Sequence, residues 1–520
     1  MKLNVIVKTS TSLTIELENN DIVTSSVAYD VYLNGEKILE ANRQNVFSVY
    51  NLKPYTEYYI KLMDATGEMA TKFIQTDIES ICLNVRKFNA IGDGVTDDTQ
   101  AIQAAIMSCP KHGRVFIPAG NYKVRTIFLK SDMTLEFAKG ATLSYAGSFY
   151  EGGAILPGYL VDHFGEAYYL GSWEGNPLDS YTALIQGINI ENVNIIGKGV
   201  LDGNGHRFWD FPKVKKGALR PRLVQLIHSK FVSIQGLTIC NSPSWTIHPL
   251  FSDALVFADL KIINPKDSPN TDGLNPESCN RVLIVGVYFS VGGDCIAIKA
   301  GKIYLGRKLK RSTRYVTIRN CTMNFGHGAV AIGSEMACGV KNITVSRCIF
   351  NETDRGLHIK TCRGRGKDAI IDQICFNNIK MNRVLTPLVI NSFYFGDADD
   401  QSEYVKTKEK LPVDDRTPYI GTLVFEDIEC ENSSIAAGFF YGLPEKPIEA
   451  LVLKKCHFTF TEDASPGYPA MMDDIKTYCR AGLIFNHVKC VTMDHVKIKG
   501  VLGEKVILND VGKVVMGHDD

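Results

Sequence analysis

One short pattern recurs nine times between residues 232 and 498: an alternating apolar run, a small polar step, then a second apolar pair. It reads Val232–Ile239, Leu255–Ile262, Leu283–Phe289, Val316–Met323 and Ile343–Phe350, and continues as Ile374–Met381, Leu423–Cys430, Leu451–Phe458 and Val491–Ile498. The second apolar positions Leu237, Leu260, Val287, Cys321, Cys348 and Ile379 lie 23, 27, 34, 27 and 31 residues apart. Self-similarity at this period, with period-2 alternation and almost no helical spacing, predicts an all-β solenoid. A β-propeller needs four strands in roughly 40–45 residues, more than these intervals hold. A right-handed parallel β-helix fits: each coil stacks on the last, and irregular intervals are loops inserted between strands, where solenoids carry their binding groove.

The first 78 residues have a different texture. Leu13–Leu17 and Tyr29–Leu33 alternate, and Asn34-Gly35 is a hairpin signal. The run Leu52-Lys53-Pro54-Tyr55-Thr56-Glu57-Tyr58 resembles the tyrosine corner of fibronectin type III modules, in which the phenol bonds back to nearby backbone. The expected organisation is a small fibronectin type III-like β-sandwich over 1–78 and a β-helix over 79–520. An open solenoid end needs a cap. Apolar residues at helical spacing after Asp97 and Asp98 predict a capping helix near 97–106, with both carboxylates at its positive end. With the preceding Phe88–Val95 turn, this resembles the cap of pectin-degrading β-helix proteins.

Composition narrows the function. Lys+Arg and Asp+Glu both number 57, so the net charge is zero, which argues against a general nucleic-acid binder and a membrane-surface role. An anionic ligand must then be met by a local cluster of cations. The N-terminus lacks a secretory apolar run, and no stretch approaches the roughly 20 apolar residues of a membrane span. The 14 cysteines are scattered without a CxxC pair; Cys321, Cys348, Cys375 and Cys456 fall where strands would bury them. Reduced core cysteines in a cytoplasmic protein are expected, with no metal or organic cofactor.

Four polar islands interrupt the repeats: Asn270-Thr271-Asp272-Gly273, Gly292-Gly293-Asp294-Cys295, Gly326-His327-Gly328 and Arg355–Lys360. They are about one coil apart, so on adjacent rungs Asp272, Asp294, His327, His358 and Lys360 converge on one face. Parity agrees: with Leu357 and Ile359 inward, His358 and Lys360 point outward. In this order the islands resemble glycoside hydrolase family 28, the polygalacturonases, with a pectin lyase-like solenoid. The resemblance runs from about residue 83 to 500. The leading module, Arg220-Pro221-Arg222, Asn241–Trp245 and Gly333–Met336 resemble its exo-acting bacterial branch.

The resemblance implies exo-acting, inverting hydrolysis of α-1,4-galacturonosyl linkages in oligogalacturonides. Inversion uses an acid and a base roughly 6.5–9.5 Å apart. By resemblance Asp272 and Asp294 activate water and His327 supports protonation. Lys299, His358 and Lys360 are the candidate cations for the substrate carboxylate, with Asn270, Glu335, Trp245 and His248 as further contacts. Asp272 as a polar turn, or Trp245 and His248 as core residues, are the structural alternatives. An aromatic insert from residue 147, with Tyr168, Tyr169 and Trp173, is expected to block the groove.

Two positions depart from the family pattern. Gly293 replaces the aspartate usually given the general-acid role, and His358 replaces an arginine whose guanidinium offers a fixed fork. Three outcomes follow: another acid, Glu335 or Asp272 itself, takes over protonation; the substrate is a different pectic linkage; or the protein binds uronic-acid oligosaccharides without hydrolysing them.

Overall fold

Burial along the repeats follows strand parity: in Thr313–Arg319, Val316 and Ile318 are buried while Tyr315 is exposed and Thr317 half-buried. Apolar stripes of this kind on every strand can be covered only by strands of other coils. The computed structural model describes residues 1–146, 181–210, 220–303, 310–396 and 401–517, plus the backbone of four short strands between 160 and 178. The aromatic insert around Tyr168, Tyr169 and Trp173 otherwise lies outside the described residues.

The coils form a right-handed parallel β-helix with three faces. On the first face Val232, Leu255, Val282, Val316, Ile343, Ile374, Leu423, Leu451 and Val491 are successive partners in parallel register. At the third repeat the stacked residue is Val282, one before Leu283, because the inward parity there belongs to Val282 and Ile284. The second face holds short strands such as Lys261–Ile263, Tyr288–Ser290 and Thr322–Asn324. The third holds Ile247–Leu250, Ile296–Ile298, Gly328–Gly333, Arg355–Lys360 and Thr386–Asn391. A single apolar core runs inside, from Val85 to Ile498.

The cap is a helix at Thr99–Ser108, burying Ile102, Ala105 and Ile106 against the first coils. Asp98 makes no side-chain cap; its carboxylate accepts the backbone N–H groups of Ile91 at 2.6 Å and Gly92 at 2.8 Å, pinning the preceding turn. Fourteen cysteines are free; Cys321, Cys348 and Cys456 are buried. Cys375 corrects the sequence reading: it is only half-buried, because Ile374 and Phe376 take the inward positions. Among the described residues no helix is long and apolar enough to cross a membrane.

Residues 2–75 form two antiparallel sheets, one of three strands and one of four, closing on a shared core that includes Leu13, Ile15, Tyr29, Val31, Ile60 and Leu62. Asn34 and Gly35 both adopt positive φ (51° and 88°), as a two-residue hairpin turn requires. The Lys53 backbone N–H donates to Tyr58 Oη at 2.8 Å. This sandwich lies lengthwise along the first face. It reaches Glu136 through Thr11, Gly197 through Tyr50, Gln235 through Ser12, and Asn378 through the carbonyl of Asn20. Val46 packs with Ala258 and Val285. Side chains at Gly236 and Gly286 would collide with Tyr50 and Val46 respectively, so glycine permits the close approach.

The polar anchor of this contact is Glu16, whose side chain is 1% exposed. It accepts hydrogen bonds from Arg319 at 2.8 Å, Asn320 at 2.8 Å and Arg347 at 3.1 Å. Removing one member of a buried charge network typically costs about 3–5 kcal/mol. Glu16→Ala is expected to fall near the lower end, since both arginines retain some exposure, and to expose 1–78 to limited proteolysis before the helix is cut. Equal thermal midpoints and digestion rates in the two proteins would contradict this.

Candidate active site

The first three polar islands sit at the turn from the second face into the third, and the fourth, Arg355–Lys360, is itself a strand of the third face. Leu274, Ile296, Val330, Leu357 and Leu388 stack in register inside the third face. Asp272 and Asp294 each stand two residues before this stack. One residue after it, the outward row reads Asn275, Ala297, Ala331, His358 and Val389; three after, it reads Glu277, Lys299, Gly333, Lys360 and Asn391. The result is a floor of two alanines, bordered by acids on one side and lysines on the other.

The charges on this floor are buried and interlocked. Lys360 Nζ is 2.7 Å from Asp294 Oδ2, and Lys299 Nζ is 2.8 Å from Glu335 Oε2. Asp272 accepts from Asn275 Nδ2 at 2.7 Å and from the Asp294 backbone N–H at 3.2 Å. Its pKa is raised, first by burial and then by the neighbouring Asp294 charge. Burial would also raise Glu335, but Lys299 outweighs it and holds the carboxyl down to about 2. Burial pulls Lys360 down; Asp294 outweighs it and raises the ammonium. Asp294 Oδ1 is buried with no hydrogen-bond partner.

Gly293 explains the position of Asp272. A Cβ built at 293 would overlap Asp272 Oδ1 and come within 2.9 Å of the Asp272 backbone nitrogen. The carboxyl of Asp272 therefore uses space that any side chain at 293 would occupy.

The other expected residues are placed as follows. Trp245 is buried beneath two cations, with Arg222 Cζ 4.1 Å and Lys299 Nζ 4.5 Å from its ring centroid. His248 is fully buried, its Nε2 2.8 Å from Glu277 Oε2. Asn270 stands on the approaching loop, its side-chain oxygen accepting from Arg220 Nη2 at 2.7 Å. His327 is at the rim, largely exposed, its Nδ1 3.0 Å from Asp354 Oδ2; that hydrogen bond raises its pKa. Beside it opens a hollow of about 290 Å³, lined in part by Lys266 and Arg383.

His358 is corrected as a candidate cation. Burial, then the charges of Lys360 and Arg355, push its pKa well below the usual range, so the imidazole is neutral. The sequence reading also passed over Asn275, Glu277, Asp354 and Tyr394. Glu277 had a signal: it precedes Lys299 by 22 residues, the interval that separates Asp272 from Asp294. Tyr394 had none, because it lies in a loop beyond the strand. Among the described residues, no three His, Cys, Asp or Glu side chains are grouped to hold a metal ion.

Paired carboxyls and buried lysines in the cleft of a parallel β-helix suit acid–base chemistry on an acidic substrate, and the comparisons supply the class. Residues 110–417 match the family described as glycosyl hydrolases family 28. A probable polygalacturonase of Vitis vinifera is 30% identical over 376 residues, covering 70% of this chain and 72% of that protein. An exo-poly-alpha-D-galacturonosidase of Dickeya chrysanthemi is 26% identical over 414 residues, 69% of this chain and 66% of that one. The fold is shared with a family 28 exopolygalacturonase of Yersinia enterocolitica, at TM-score 0.71 and 20% identity over 99% of this chain and 98% of that one. An exopolygalacturonase of Thermotoga maritima shares it at TM-score 0.67 and 24% identity, over 82% and 93%. The chain belongs to glycosyl hydrolase family 28 and is a glycoside hydrolase.

The Lys299–Glu335 pair has a stability signature. Glu335 is depressed from 4.5 to about 2, so its contribution is complete above pH 4.5 and is lost as pH falls towards 2. Glu335→Gln leaves the Lys299 ammonium buried without its counter-charge, and should destabilise by about 3–5 kcal/mol near neutrality. It should also flatten the fall of thermal midpoint across that acid window; a variant that tracks the native curve would refute the pairing.

Proposed function

We propose that the protein is an exo-acting, inverting hydrolase of α-1,4-galacturonosyl linkages in oligogalacturonides. The observation that carries this reading is the contrast between two adjacent carboxyls: Asp272 has a raised pKa, while Asp294 is paired with the Lys360 ammonium. Two carboxyls in unlike environments supply an acid and a base at one site. Asp272 donates its proton to the glycosidic oxygen as the C–O bond breaks. The unpartnered Asp294 Oδ1 takes a proton from the water that displaces the leaving sugar at the anomeric carbon. Glu335 is unsuited to the acid role, because Lys299 keeps it ionised.

Lys299 and Lys360, each paired with a carboxylate, lend positive charge to the side of the cleft that meets the uronate, Trp245 and His248 back the cleft from the core, and His327, oriented by Asp354, faces the leaving sugar. The exo mode draws on the name of the Dickeya relative. The leading sandwich is read as a fibronectin type III-like module ending near residue 78. Fourteen free thiols suit a reducing compartment, and we place the enzyme in the cytoplasm, acting on short oligomers.

Release of galacturonate from trigalacturonate tests the reading. Asp272→Asn and Asp294→Asn should each lower kcat on the order of 10²–10⁴-fold. Gly293→Ala removes no acid, yet should lower kcat at least tenfold by displacing the Asp272 carboxyl. If the native protein releases no monomer while Gly293→Asp does, the chain binds uronides without cleaving them, and the hydrolase reading fails.

A further inference from the structure

We propose that the sugar unit seated against His358 is a neutral pyranose that presents a hydroxyl to the ring, so that the preferred substrate carries a free carboxylate on only one side of the scissile bond. The inference deepens the hydrolase reading and rests on it for the position of that bond.

His358 occupies the outward row directly after Ala297 and Ala331. It is 3% exposed, and neither Nδ1 nor Nε2 has a hydrogen-bond partner. Buried polar groups are almost always satisfied, and leaving one bare costs about 1–3 kcal/mol. A bare imidazole at the floor of a cleft is a group whose partner arrives with the ligand.

The surroundings decide which partner. Lys360, two residues along the strand, is committed to Asp294 at 2.7 Å and lies 5.7 Å from the Tyr394 ring centroid. Arg355, at the start of the strand, donates to the carbonyls of Pro469 at 3.3 Å and Tyr468 at 3.1 Å, and approaches Asp354 at 3.5 Å. His327, at the rim, is engaged by Asp354 at 3.0 Å. The Tyr394 and His358 rings form a T-shaped pair with centroids 6.4 Å apart. The cations of this rung are therefore already paired with protein oxygens. What remains is one neutral imidazole, with one donor and one acceptor nitrogen. A sugar hydroxyl donates and accepts, and satisfies both. A carboxylate only accepts; it would leave one ring nitrogen facing a second lone pair, in a place where burial and neighbouring positive charge resist protonation of the ring. Sites that hydrogen-bond a hydroxyl discriminate strongly against a group that cannot reproduce the bond.

The experiment measures binding by calorimetry and turnover by product release. The probes are digalacturonate, its two monomethyl esters, and its two forms with one carboxyl reduced to the alcohol. With the native protein, one positional isomer of the reduced pair should bind at least tenfold more tightly than digalacturonate and than the matching ester. An ester bound as tightly as the alcohol would show that charge alone is read and not a hydroxyl, and overturns the inference. His358→Arg should abolish or invert the preference, and His358→Gln, neutral with an amide donor group and a carbonyl acceptor, should keep it. Equal or tighter binding of digalacturonate by the native protein overturns the inference. So does an unchanged preference in His358→Arg, or no measurable binding of any uncharged-unit probe. If the affinity preference holds but no probe is cleaved, the hydrolase reading fails and this one stands.

Discussion

Parallel register between coils is the constraint on which the rest depends. Adjacent strands lie about 4.8 Å apart, so residues one coil apart in sequence become neighbours in space. The stack of Leu274, Ile296, Val330, Leu357 and Leu388 fixes the inner wall. Because side chains alternate, it also fixes every outward row. A slip of one residue would exchange core for cleft. The site thus inherits its geometry from aliphatic packing, while loops of unequal length carry the chemistry.

A protein of zero net charge gathers its cations locally, but the lysines of this cleft are not free. Lys299 and Lys360 are each held by a carboxylate, and this mutual pairing lets so many ionised groups persist out of water. The same arrangement differentiates the carboxyls: a lysine depresses Glu335, while burial and then the neighbouring Asp294 charge raise Asp272.

Much of the fold was legible because a period-2 pattern repeated at coil length leaves few alternatives. The marked positions Leu237, Leu260, Val287, Cys321, Cys348 and Ile379 are neighbours on consecutive coils. Parity also gave the outward direction of His358 and Lys360. It failed at Cys375, where a sulfur on the outward side of a strand reads like a core residue. Hydrogen-bond state was hidden as well. That His358 is bare, that Arg220 occupies Asn270, and that the carboxyl of Asp272 fills the space beside Gly293 depend on side-chain packing across loops, which interval counting does not reach.

The lengthwise seating of the N-terminal sandwich has a mechanical consequence. Solenoids are held by nearest-neighbour interfaces and can fray one repeat at a time. Here contacts at Glu136, Gly197, Gln235, Ala258, Val285, Arg319, Arg347 and Asn378 tie one rigid body to eight successive strands of the first face. It acts as a splint across the coils that carry Asp272 through Lys360. Opening any one of them strains the same rigid neighbour, so local fraying there becomes a collective event, and the cleft on the far side keeps its spacing.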